Sequence, residues 1–194
     1  LCIINQYFSD LAGSIKSFAD DHMFPIFLMS NEVPYGEIIL DIVTYILEGK
    51  EDSIKEFLVD EILESDEVIK NERTALKLNP YFLDRNICLY FMGSNESITE
   101  CEILTTNYMY LEEKDCIVKY KNGILLIKTY SEPAEDEQIY NEVKKIIKQF
   151  GDIDSIYVGI STIHNNIGEV NKGIDEAMKS AEIAMSFEEQ LMYY

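Results

Sequence analysis

The sequence predicts an α/β chain of the α+β kind: a partial β-α-β-α unit, then a helical connector, then a mixed sheet flanked by helices. Three observations carry this. Residues 1–49 alternate short apolar runs with amphipathic stretches, residues 50–80 show helical periodicity without a strand pattern, and from 81 onward strand-like runs return, two of them joined through Asn122-Gly123. The expected divisions are 1–49, 50–80 and 81–194.

In the first division LCIIN reads as a short strand. SDLAGSIKSFADDH sets Leu11, Ile15, Phe18 and Ala19 on one helical face, with Ser9 or Asp10 as its N-cap. PIFLMS is a second strand, and Pro34 opens a helix, PYGEIILDIVTYILE, where a missing N–H costs nothing. In the connector, Ile54, Phe57, Leu58, Ile62 and Leu63 recur at helical spacing after a cap at Asp52 or Ser53, and DEVIKNERTALKL follows. Pro80 stops that second helix by pushing Asn79 out of the α region.

The third division opens on the strand NICLYFM, followed by SITECEILTTNYMYLEE, helical in its first half. CIVKY and ILLIKTY form a hairpin on the Asn-Gly signal. EDEQIYNEVKKIIKQFG is a helix burying Ile139, Val143, Ile146, Ile147 and Phe150, acidic in its first turn, basic in its last and ended by Gly151. IYVGI is a strand, and LMYY the last one. Between them lies a helix with Asn166 as cap, Glu169 as capping-box partner, and a stripe of Val170, Ile174, Ala177, Met178, Ala181 and Met185.

Composition narrows the function. With 36 acidic against 16 basic residues the formal charge is −20, and such a surface repels nucleic acid and anionic lipid. Cys2, Cys88, Cys101 and Cys116 form no C-x-x-C pair, and His22 and His164 lie far from them, which favours reduced thiols in a cytoplasmic protein without metal or other cofactor. No apolar run reaches the length of a membrane span. Both termini fall in apolar, strand-like runs, so the sequence reads as a segment of a longer protein.

Catalytic patterns are wanting. G-x-G-x-x-G and G-x-x-x-x-G-K-[ST] do not occur, and the residues after Gly159-Ile160-Ser161 are Thr162, Ile163, His164, Asn165 and Asn166 rather than the glycines or lysine of a phosphate cradle. Small Ala177, Ala181 and Ala184 instead suit close packing of the helix on a sheet or on a partner helix. Acidic pairs such as Asp60-Glu61 and Glu112-Glu113 read as solvated faces, and His22 as a helix-end cap or solvated residue.

The order strand, helix, Asn-Gly hairpin, helix, IYVGIS, IDEAMKSAEIA resembles the GGDEF-like domain of PucR-type (purine catabolism regulator) and CdaR-type bacterial transcription factors. Glu176, Ala177, Ala181 and Ala184 fit its EA-x3-A-x2-A-like helix, and FLVDEILES with ERTALKLNP is similar to the preceding helices, Lys77 standing where a small glycine is usual. FADDHMFPIFLMSNEVPYGEIILDIVTYIL resembles the end of the PucR-type N-terminal effector domain, with Met29-Ser30 where Leu-Pro is common. The resemblance implies a regulatory fragment: a homodimer sensing a small-molecule effector, with DNA read by a helix-turn-helix absent from this chain. Open α/β sheets hold ligands beyond the carboxyl ends of their strands, which marks Asn5, Ser30 and Asn31 as effector-binding candidates. Ala177, Ala181 and Ala184 mark the packing or dimer helix.

A diguanylate cyclase of this kind would need a metal-binding Asp after the first strand and an acidic, glycine-rich hairpin for GTP. The sequence has Gly93-Ser94-Asn95-Glu96 and Tyr120-Lys121-Asn122-Gly123 there, so no enzyme activity and no catalytic or metal residue is expected. The rival reading is a divergent nucleotide cyclase or a GTP-binding remnant.

Overall fold

The computed structural model describes residues 2–4, 11–24, 26–29, 35–99, 101, 112–131, 134–149 and 155–194. The chain forms two compact units, Leu1–Lys50 and Glu51–Tyr194, and it is α+β in class, as the sequence predicts.

In the first unit β1 (Cys2–Ile4) and β2 (Phe27–Met29) pair in parallel, Cys2 opposite Phe27 and Ile4 opposite Met29. Parallel pairing demands a long crossover, which contains α1 (Gly13–Asp21). Ala12 holds the N-cap position of α1 and makes no side-chain cap bond. The expected caps, Ser9 and Asp10, lie outside the described residues, as does Pro34. Ala19 is buried while Phe18 is 61% exposed, so one residue of the expected apolar face is covered and another is not. His22 does cap the helix end: its Nδ1 is 2.9 Å from the Phe18 carbonyl oxygen and its ring stacks on that of Phe18.

α2 (Tyr35–Leu63) is one 29-residue helix where the sequence suggests two. Gly49 alone disfavours a helix by about 1 kcal/mol relative to Ala. No proline enforces a break there, and Glu51 and Lys55 form an i,i+4 ion pair of 2.7 Å across the expected caps. α3 (Val68–Leu78) ends as predicted, with Asn79 extended at φ −148° and ψ 113° ahead of Pro80.

The second unit is built on a mixed sheet of order β4-β5-β3-β6-β7. β3 (Arg85–Gly93) lies at its centre, antiparallel to β5 (Gly123–Tyr130) and to β6 (Ile156–Ile160). β4 (Cys116–Tyr120) completes the hairpin with β5, and β7 (Leu191–Tyr193) runs parallel to β6. Both sheet faces are covered, which is why β3 and β5 are nearly continuous apolar runs instead of alternating ones. One core joins Cys88, Tyr90, Leu125 and Ile127 to α2, α3 and α5 (Val170–Phe187). The other joins Leu89, Phe91, Leu126 and Val158 to α4 (Asp136–Gln149) and to Ile98 and Cys101.

Residues 51–78, expected as a helical connector, are mostly helical and pack on the sheet of the second unit. Leu58, Val59, Ile62, Ala75 and Leu78 are core residues of the second unit. Tyr120 donates a 2.6 Å hydrogen bond to Asp60, which is engaged rather than merely solvated. The hairpin turn is also shifted from the Asn-Gly pair: Tyr120 pairs with Gly123, Lys121 and Asn122 form the turn, and Lys121 takes the positive φ of 51°. Gly123 is required for space, since a Cβ there would lie 2.4 Å from the Phe91 carbonyl oxygen.

α4 buries Ile139, Val143 and Ile146, with Ile147 partly covered; Phe150 and Gly151 lie outside the described residues. Asn166 caps a short 3-10 turn, Ile167–Glu169, through a 2.8 Å bond from the Gly168 N–H, and α5 starts after it. The Glu169 carboxylate accepts from Lys172. On α5 the buried arc runs through Val170, Ile174, Ala177, Ala181 and Ala184, while Met178 and Met185 sit at its flank and Met185 is 52% exposed. Residues 95–99 are helical; 102–111 are not described.

Candidate functional site

The β6–α5 junction is where an α/β fold would hold a phosphate, and here its groups are consumed internally. Ser161 extends the β3–β6 pairing: its N–H donates to the Cys88 carbonyl at 3.0 Å, its Oγ accepts from the Cys88 N–H at 2.9 Å, and its hydroxyl donates to the Thr162 carbonyl. Glu176, nearly two turns into α5, then clamps the loop. Its Oε2 accepts from the Thr162 N–H at 2.9 Å and the Thr162 hydroxyl at 2.8 Å, and lies 3.1 Å from His164 Nε2. The His164 backbone pairs with Asn86 in both directions.

A phosphate needs several unclaimed N–H groups converging from a helix N-terminus. At this turn those of Thr162, His164 and Gly168 already bond Glu176, Asn86 and Asn166. The Glu176 carboxylate already takes the Thr162 N–H and hydroxyl, donors an anion there would need.

The alanine stripe explains the glycine. A Cβ on Gly159 would lie 2.0 Å from the Ala177 carbonyl oxygen and 2.2 Å from the Ala181 nitrogen, so helix and strand backbones touch. Ala177, Ala181 and Ala184 are 0% exposed. Of the two uses their size suits, the stripe serves packing within the chain and turns no surface toward a second copy. Asn5, Ser30 and Asn31, the effector-binding candidates, lie outside the described residues.

The two positions a cyclase would use are likewise structural. Ser94 caps the helical turn after β3: its Oγ accepts from the Ser97 N–H at 3.2 Å and lies 2.8 Å from the Ser97 hydroxyl, which is buried. At the hairpin, the Lys121 ammonium sits 5.0 Å over the Tyr120 ring. A divalent cation with a triphosphate needs convergent carboxylates, and among the described residues of these two stretches, 93–96 and 120–123, the exposed Glu96 is the one carboxylate, which does not fit that group. Among the described residues no cluster of three or more His, Cys, Asp or Glu side chains could hold a metal ion.

Sequence reasoning missed the buried ionic cluster under α4. Lys128 is 2% exposed, with Nζ 2.7 Å from Asp115 and 2.9 Å from Glu142. Burial opposes its charge, but the hydrogen bonds and charges of Asp115 and Glu142 prevail and hold its pKa above the ordinary lysine value. Asp115 also accepts from the N–H groups of Thr129 and Glu112, and Asn79 donates to the Asp115 carbonyl. With these bonds made, the cluster fixes register and leaves no reactive group. Its signal was the lone lysine inside ILLIKTY: with Tyr120 opposite Gly123, the hairpin register carries Asp115 to Lys128.

Sequence reasoning also passed over a second stripe on α4, Glu137, Tyr140, Asn141 and Lys144, which lines a cavity with Tyr193 of β7. Spacing at i, i+3, i+4 and i+7 was its sign, overshadowed by the adjacent apolar stripe. Cys88, Cys101 and Cys116 are buried cysteines, and burial pushes the thiols of Cys88 and Cys116 up, away from reactivity. Among the described residues no helix is long and apolar enough to cross a membrane. Compared with known proteins, the chain matches no family model, no curated protein and no solved structure.

Proposed function

We propose that this chain is the regulatory portion of a PucR-like transcriptional regulator, working in the cytoplasm without chemistry of its own. In this reading Leu1–Lys50 contributes to sensing a small molecule, Glu51–Tyr194 is a scaffold for contacts between copies, and DNA is read by a region outside this chain. The observation that carries it is the use made of the two would-be cyclase positions: Ser94 and Ser97 cap a helix, and Lys121-Asn122 only turns a hairpin. Support also comes from the order β3, helical turn, β4–β5 hairpin, α4, β6, α5, which agrees with the order the resemblance implies.

Regulation then works by population shift: an effector favours whichever arrangement of the copies binds it better, by no more than its difference in affinity for the two. The charge of −20 fits this division of labour, because it leaves phosphate-backbone contacts to another part of the regulator.

Thermal unfolding of the full chain with GTP and Mg²⁺, and separately with a panel of small metabolites, tests the reading. A ligand that binds the native state alone raises the melting temperature. The expected result is no rise with GTP and Mg²⁺, a rise with a metabolite, and a mass by light scattering of two copies of the 22.4 kDa chain. Stabilisation by GTP and Mg²⁺ with formation of a cyclic product would overturn it in favour of the enzyme reading.

A further inference from the structure

α4 carries two faces with different uses. Ile139, Val143 and Ile146 enter the core, while Glu137, Tyr140, Asn141 and Lys144 form a neighbouring stripe. Alternation along β7 sets Leu191 and Tyr193 on one side of the sheet; Leu191 packs on the core, and the Tyr193 ring comes to stand 6.3 Å from that of Tyr140 at 65°. These five residues line an open cavity of about 480 Å³, within the size range of small-molecule sites.

Among the described residues the polar groups of this cavity differ from their neighbours on α4. Elsewhere on α4 Asp136 binds Arg85 and Glu142 binds Lys128. By contrast, the side chains of Glu137, Tyr140, Asn141, Lys144 and Tyr193 make no hydrogen bond or ion pair with another described residue. Burial raises the phenols of Tyr140 and Tyr193 above their ordinary range, so both remain neutral donors at pH 7.

Their chemistry selects a ligand. Two phenol rings in edge contact present apolar faces suited to a third aromatic ring. The stripe begins with a carboxylate and ends with an ammonium, separated by roughly 10 Å of helix rise and carried on long stems. A free anion would have to approach a chain of net charge −20, and a simple cation would leave Lys144 facing it. A molecule with both charges and an aromatic body satisfies every group.

We propose that this cavity binds a small zwitterionic aromatic compound of the amino-acid class. Its ring lies against Tyr140 and Tyr193, its ammonium meets Glu137, its carboxylate meets Lys144, and the Asn141 amide supplies a donor and an acceptor between them. The proposal stands apart from the regulator reading, because it rests on the cavity between α4 and β7 alone.

The test is a titration of the full ¹⁵N-labelled chain, followed by ¹H–¹⁵N spectra, with L-tryptophan, L-phenylalanine, tryptamine, indole-3-propionate and glycine. Saturable shifts confined to residues 137–144 and 191–194 are expected for the two aromatic amino acids, with half-saturation on the order of 1 mM for ligands this small. Tryptamine and indole-3-propionate, each lacking one charge, should bind about five-fold more weakly or worse. Lys144→Met should make L-tryptophan no better than tryptamine, and Glu137→Gln should make it no better than indole-3-propionate. Both positions are exposed, so the rest of the spectrum should stay unchanged. Absence of saturable shifts up to about 10 mM, shifts scattered over the acidic surface, or tryptamine binding as tightly as L-tryptophan would overturn the proposal.

Discussion

Gly159 admits no side chain, because the atoms a Cβ would meet are backbone atoms of α5 and cannot swing aside as the tip of a side chain can. Gly159→Ala is therefore expected to destabilise the protein by about 3 kcal/mol or more, at the upper end of what overpacking costs. The readout is a lower urea midpoint at unchanged slope; an unchanged midpoint would mean that α5 is not seated on β6 in this way. Glycine and alanines were both visible in the sequence, but their purpose was not, since a glycine after a strand suits a phosphate as well as a helix. The choice between the two is made by Glu176, fourteen residues from the Thr162 it clamps, a pairing that only the folded loop reveals. Lys128 shows a similar divide. Its oddity in an apolar strand could be read directly, and its pairing with Asp115 follows once the turn register is known, whereas Glu142 arrives from α4 and needs the tertiary fold.

At the scale of elements, local chemistry was a good guide where a strong signal acted alone. Pro80 ended α3, the acids and lysines of α4 marked its ends, and the paired apolar runs made the hairpin. It failed where several weak signals competed. Gly49 and the Asp52-Ser53 pair looked like a boundary, but neither could outweigh the uninterrupted helix formers around them. The packing of residues 51–78 was not legible either, because amphipathic helices look alike whether they cover a core or bridge two. The burial of Leu58, Val59, Ile62, Ala75 and Leu78 gives this a testable consequence. A fragment of residues 51–194 should unfold cooperatively with urea. A fragment of 81–194, which loses the α2 and α3 side chains from one core and keeps only α5 over that face of the sheet, should lack a cooperative transition and bind a hydrophobic dye. Equal cooperativity in the two would restore 51–80 to the role of a connector.

For the molecule as a whole, the charge of −20 suggests a protein whose stability is governed by its carboxylates, yet the burial pattern points to the alkaline side. The lowered carboxylates of Glu51, Glu112 and Glu169 owe their shifts first to hydrogen bonds from Lys55, Lys114 and Lys172 at the surface, where solvent screens such pairs, so acid should remove little through them. Three raised groups are in the core. Burial pushes Cys116 from 9.0 up to about 11 and Tyr90 from 10.0 up to about 12, and Lys128 is held above 10.5 by its two carboxylates. For all three the folded state favours the protonated form more than the unfolded chain does. Their contribution is therefore complete below the unfolded values and is lost as pH rises through the folded ones. For Cys116 alone the difference amounts to about 2–3 kcal/mol at most. Urea midpoints at fixed ionic strength, with reductant present, should hold nearly level from pH 7 to about 9 and fall steadily toward pH 11. In Cys116→Ser the fall between pH 9 and 11 should become shallower with its onset still near pH 9, since the hydroxyl does not titrate while the buried Cys88 thiol, raised from the same ordinary value, remains. A midpoint that stays level to pH 11 in the unaltered chain would mean that neither the thiol nor the ammonium is held in the core as the structure has them.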